Sequence, residues 1–131
     1  MKFLGIDYGT KRVGLAVSDQ NGRLAFPKEI VKNNGELWKK LEAVIASEGV
    51  KEIVVGESMD FAGLPNALQR EIEFFISKLE KKFKLLVHRE KEFLTTVEAR
   101  RYKEGENGAD AGAAALILQR YLDRKNNKSN D

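Results

Sequence analysis

Apolar residues open the chain in short runs whose period and punctuation predict strands. Lys2 to Asp7 reads as a strand that ends on an acid, with Tyr8-Gly9-Thr10 as the turn that follows. From Arg12 to Ser18 the apolar Val13, Leu15 and Val17 alternate with small residues, the period of a second strand. Asn21-Gly22 is a hairpin turn signal, and Leu24 to Val31 makes a third strand in which Pro27 argues for a sheet edge. An antiparallel meander is therefore expected first.

The period then changes. Between Gly35 and Glu48, Leu37, Leu41, Val44 and Ile45 recur at helical spacing, and Gly49 closes the helix. Glu52 to Gly56 holds the apolar triplet Ile53-Val54-Val55, a short buried strand. Pro65 opens a second helix with the stripe Leu68, Ile72, Phe75, Ile76 and Leu79. A fifth strand spans Lys84 to His88. Thr95 and Glu98 form a capping box for a short helix through Tyr102, and an alanine-rich helix runs from Asp110 to about Arg124. Residues 125–131 read as a frayed polar tail outside a single domain of residues 1–124. The order βββαβαβα, with one short extra helix, predicts an α/β fold: a mixed five-stranded sheet flanked by helices.

Composition narrows the chemistry. The 131 residues contain no cysteine and a single histidine, His88, so disulfides and thiolate zinc sites are excluded and a histidine-based metal centre is disfavoured. Chemistry must come from carboxylates, hydroxyls, lysines and arginines. No run approaches the ~20 apolar residues of a membrane helix, and the opening lacks a secretory pattern, so a cytoplasmic protein with no membrane partner is expected. The net charge of +3 is unevenly spread: +3 over residues 1–34, −4 over 35–75 and +4 over 76–131. Folding can bring the two basic ends onto one face and so make a nucleic-acid footprint, although solubilising surface charge has the same pattern.

Three regions hold candidate acids. Asp7 closes the first strand ahead of Gly9, at the end where α/β sheets bind ligands, with Lys11 and Arg12 beside it for a polyanion; a plain Asp-containing turn fits equally. Glu92 follows the fifth strand, as a site acid or a solvated loop acid. Asp110 begins the alanine-rich helix, where capping and metal binding are compatible roles. Glu98 is assigned to its cap. An acid followed by Gly-Thr also opens two-lobed nucleotide-binding ATPases, but those need a second lobe and phosphate loop that 131 residues do not supply.

Together these segments resemble the YqgF/RuvX family, Holliday junction resolvase-like proteins also described as pre-16S rRNA nucleases. The resemblance rests on Gly5 to Gly14 with Val17-Ser18-Asp19, on Leu94-Thr95-Thr96-Val97-Glu98-Ala99, and on Asp110 with Ala113-Ala114 and Ile117 to Leu122. The ribonuclease H-like fold, which the resemblance implies, has the element order read above. The resemblance further implies a catalytic, metal-binding set of Asp7, Glu92 and Asp110. Hard oxygen ligands suit Mg²⁺ or Mn²⁺, which would also relieve the ~4 kcal/mol repulsion between two carboxylates ~4 Å apart at an effective dielectric of 20.

Lys11, Arg12, Lys91, Arg100, Arg101 and Lys103 are the expected nucleic-acid contacts. Lys91 and Phe93 stand where the family carries Asp and Arg, and Gly56-Glu57-Ser58 where it carries Gly-Leu-Pro. Glu57 at the end of the fourth strand is a candidate accessory ligand, against the alternative of a surface acid. The expected activity is metal-dependent phosphodiester hydrolysis in 5′-end processing of pre-16S rRNA, with the ribosome as a possible partner. Resolution of branched DNA and a non-catalytic nucleic-acid-binding module are the alternatives. A monomer or weak homodimer is expected.

Overall fold

The computed structural model describes residues 1–58, 67–92 and 111–129. Its elements are β1 (Lys2–Tyr8), β2 (Arg12–Ser18), β3 (Ala25–Lys32), α1 (Leu37–Glu48), β4 (Val50–Ser58), α2 (Ala67–Phe83), β5 (Leu86–Glu92) and α3 (Ala111–Ser129). The strands form one mixed sheet in the order β3-β2-β1-β4-β5. The meander β1-β2-β3 is antiparallel, and β4 and β5 run parallel to β1.

Strand alternation divides the core in two. Leu4, Ile6, Val13, Leu15, Ile53 and Val55 turn to one side and pack with Leu41 of α1 and Ile72 and Ile76 of α2. Phe3, Ala16 and Val54 turn to the other side and pack with Ala114, Ile117, Leu118 and Leu122 of α3. β1, apolar on both faces, takes the centre of the sheet. Pro27 lies on β3 at the edge, as its missing N–H requires, and a register shift in the β2–β3 pairing falls at Leu15/Ala16 beside it.

Several boundaries depart from the sequence pattern, each for a local reason. The third strand starts at Ala25 because the Asp19 carboxylate holds the amides of Arg23 and Leu24 in the preceding turn. Gly49 closes α1 in the left-handed region with φ 66°, as expected. Lys84 is no strand residue: its φ of 55° and its amide bond to the Glu80 carbonyl finish α2. The fifth strand is therefore displaced, and it runs on through Glu92 because parallel pairing with β4 continues to Ser58. The supposed frayed tail continues α3 to Ser129, with Lys125 over the Phe3 ring and Asn126 donating to the Gly22 carbonyl. Phe74, off the apolar stripe of α2, is 79% exposed. Pro65 and the Thr95–Tyr102 helix lie outside the described residues.

Candidate active site

Asp7 sits one residue from the C-terminal end of the central strand and is only 8% exposed. Its neighbours decide which way it faces. Tyr8 packs on Phe75 of α2, with ring centroids 4.8 Å apart, and Ile6 lies in the α1/α2 core. Asp7 therefore turns to the α3 side, in line with Phe3 and Gly5.

Helix α3 lies directly against this line. Phe3 meets Tyr121, with ring centroids 5.9 Å apart. A Cβ built on Gly5 would stand 2.7 Å from the Leu118 Cβ and 3.0 Å from the Ala114 carbonyl oxygen. Moving along β1 from Phe3 to Gly5 thus moves from Tyr121 to Ala114, toward the start of the helix. One further pleat brings Asp7 to the level of the first turn of α3, which opens at Ala111. A helix N-terminus presents free backbone N–H groups and the positive end of the macrodipole, surroundings that favour an ionised carboxylate.

The fifth strand approaches the same side. His88 stacks on Tyr121 and pairs with Glu52, and buried Glu90 receives Arg124 of α3. At the end of this strand Glu92 pairs in register with Ser58. Glu92 is thus the last residue of a strand where a loop acid was expected. Asp110, Arg100, Arg101 and Lys103 lie outside the described residues, as does the side chain of Glu92. Among the described residues no three metal-ligating side chains cluster.

Glu57 goes elsewhere. The Gln69 amide of α2 donates to its carboxylate over 3.4 Å and to Glu73 over 2.8 Å. Glu73 is in turn held by Arg89, whose guanidinium keeps the Glu73 carboxyl below its usual range. This chain of polar contacts holds Glu57 on the α2 side, across the sheet from Asp7. Lys91 pairs with Glu57 in register and shares its face with Arg89; it is exposed. Lys11 and Arg12, also exposed, flank the turn after Asp7. Buried Gln69 was missed in the sequence, where only its place on the apolar stripe next to Leu68 could have flagged it.

The family model described as "RuvX: Holliday junction resolvase" matches residues 1–124. The chain belongs to the RuvX family. A Lawsonia intracellularis protein named "Putative pre-16S rRNA nuclease" is 37% identical over 134 residues, covering 95% of this chain and 94% of its own length. A Nitratidesulfovibrio vulgaris protein of the same name is 33% identical over 127 residues, covering 95% of this chain and 86% of its own length. Among solved structures, Thermus thermophilus RuvC in complex with a Holliday junction substrate aligns with a TM-score of 0.56 and 20% identity, over 95% of this chain and 96% of that one. That likeness establishes the ribonuclease H-like fold. The RuvX chain is accordingly a nuclease, a hydrolase of phosphodiester bonds.

Proposed function

We propose that this chain is a divalent-metal-dependent nuclease that trims the 5′ end of precursor 16S ribosomal RNA, with Asp7, Glu92 and Asp110 as its catalytic carboxylates. The observation that carries the reading is the placement of Asp7: buried at the end of the central strand, on the side covered by α3 and level with that helix's first turn. Asp110 immediately precedes Ala111 in the sequence, and the two even-numbered residues before Glu92 on β5, His88 and Glu90, both contact α3. These relations support convergence of the three acids.

The donor chemistry fits a hard cation. The chain has no cysteine, and its one histidine is engaged by Glu52, which leaves carboxylate oxygens to hold Mg²⁺ or Mn²⁺. Such an ion supplies Lewis-acid activation of water and of the scissile phosphate. The chain's own part is to hold Asp7 rigidly between two packed layers and to neutralise the substrate backbone with Lys11 and Arg12. Lys91, Arg100, Arg101 and Lys103 complete the proposed contacts. The names of the relatives favour ribosomal RNA as substrate, and hence the ribosome as partner and the cytoplasm as location.

The family description favours branched DNA as the second reading. Both are tested by incubating purified protein with precursor ribosomal RNA and with a four-way DNA junction, each with and without Mn²⁺, beside Asp7→Asn. Metal-dependent cleavage of the RNA by the wild-type chain alone is expected. Undiminished cleavage by folded Asp7→Asn overturns the site assignment, and cleavage of the junction alone selects the second reading.

A further inference from the structure

A cavity of about 270 Å³ opens between α1 and α2, on the side of the sheet away from Asp7. Its floor is aromatic. Tyr8, the last residue of β1, packs on Phe75 with ring centroids 4.8 Å apart, and Trp38 of α1 meets Phe75 at 5.4 Å. Phe74 stands on the rim with its ring open to solvent, while these three neighbours are buried or half-buried. Two charges share the rim. Glu71 lies one turn before Phe74 on α2, and Lys78, one turn after it, reaches over the Trp38 ring at 4.6 Å from its centroid. Neither makes an ion pair among the described residues.

Asn33 ties this cavity to the turn that follows Asp7. It lines the cavity, its side-chain amide donates to the Gly9 carbonyl over 2.8 Å, and its backbone N–H donates to the Lys11 carbonyl over 2.9 Å. Thr10 and Lys11 are exposed at the tip of that turn. The cavity therefore adjoins an exposed turn at the Asp7 end of the sheet.

Three features select a ligand. The volume falls just under the ~300–1,000 Å³ of small-molecule sites, so it suits one flat group and not a segment of regular structure. An open phenyl ring offers a stacking face that any nucleobase can use. A carboxylate accepts hydrogen bonds from the amino edge of a base, and an ammonium pairs with phosphate. An aliphatic side chain would use neither charge, whereas a polynucleotide, the substrate class of a nuclease, uses both.

We propose that this cavity holds one unpaired base of the substrate strand, stacked on Phe74, with its amino edge at Glu71 and an adjoining phosphate on Lys78. The base lies across the sheet from Asp7, outside the reacting nucleotide, so Phe74 is a positioning residue. Bases inside a duplex are already stacked and do not enter, which makes the cavity selective for single-stranded segments. The proposal rests on the nuclease reading of this chain, and its test separates the two.

Trp38, the chain's one tryptophan, lines the cavity and reports on it. The full-length wild-type chain is titrated in EDTA with single-stranded hexa-adenylate RNA, with an abasic ribose–phosphate strand of equal length and with a blunt-ended RNA duplex. Hexa-adenylate is expected to bind tightest and to quench Trp38 fluorescence. Phe74→Ala should weaken its binding roughly 5-fold to 150-fold, the worth of one stacked base, and Phe74→Tyr should leave it unchanged. Lys78→Gln should reduce the slope of log affinity against log salt by about 0.7, one phosphate contact on a single strand. With Mn²⁺ and precursor RNA, Phe74→Ala should raise KM and leave kcat unchanged.

Equal affinity of the wild-type chain for hexa-adenylate and the abasic strand overturns base binding. Unchanged affinity in folded Phe74→Ala does so too, even where the wild-type chain cleaves RNA. A dimer in sedimentation that Phe74→Ala dissociates, at unchanged RNA affinity, gives the cavity to a second copy and overturns the proposal. A wild-type chain whose RNA binding depends on Phe74, but which cleaves neither precursor RNA nor a DNA junction with Mn²⁺, keeps the base site and overturns the nuclease reading.

Discussion

Gly5 and Leu118 meet so closely that a methyl group on Gly5 would lie 2.7 Å from the Leu118 Cβ, with the Ala114 carbonyl oxygen 3.0 Å away on the same helix. One of those neighbours is backbone, so no rotamer change relieves the overlap. The contact sets the height of α3 above β1, and with it the level of the first helical turn relative to Asp7.

Gly5→Ala should therefore displace α3. Overpacking of this kind costs about 1–3 kcal/mol, and urea unfolding of the folded variant should show it. Cleavage should fall further than stability, since the displaced helix begins beside Asp7. A variant with wild-type stability and activity would mean that α3 does not set the site.

Arg124 holds the Glu90 carboxylate through both guanidinium arms, and Glu90 is only 4% exposed. Arg124→Ala leaves that charge buried without its partner. Because the arginine itself is half exposed, water can enter, and a loss of about 2 kcal/mol is expected, below the 3–5 kcal/mol of a fully buried pair. Adding Glu90→Gln should recover part of the loss. Recovery in the double variant, measured by denaturant unfolding, is the sign that the stranded charge and not lost packing causes the effect.

The meander was legible because turn chemistry and period agreed there: Val13, Leu15 and Val17 alternate, and Pro27 marks the edge. The far end of the fifth strand was not, because it is polar. Glu90 looks like a loop residue until Arg124, distant in sequence, satisfies it. The lengthened third helix has the same cause, a tail made helical by contacts to Phe3 and Gly22. Asp7 was legible as a strand-end acid. The side of the sheet taken by Glu57 was hidden, since it depends on strand parity and on Gln69, neither visible without the register.

Glu48 ties the end of α1 to two strands, with Lys2 at 2.8 Å and Lys28 at 3.1 Å. The hydrogen bonds from these lysines, Lys2 first, lower its carboxyl below the usual 4.5. A depressed folded-state value stabilises the protein above the unfolded value and ceases to do so as pH falls through the folded one. Glu48→Gln should hence lose about 1 kcal/mol or less at pH 7. The gap to wild type should begin to close below pH 4.5 and vanish at more acidic pH. Thermal unfolding across that range checks it, and a gap that widens on acidification would reverse the assigned sign.

Opposite faces of the sheet give Asp7 and Glu57 opposite expectations toward metal. An ion that binds only the folded chain stabilises it by about 2.7 kcal/mol at 100 times its Kd, a rise in Tm on the order of 10 °C for a chain of this size. Mn²⁺ should raise the Tm of the wild-type chain by that amount, and Asp7→Asn should abolish the rise. Glu57→Gln should retain it, and should retain cleavage, because a glutamine carbonyl at position 57 can still accept the Gln69 amide. Loss of the shift in folded Glu57→Gln would place the metal within reach of both faces and return Glu57 to the ligand set.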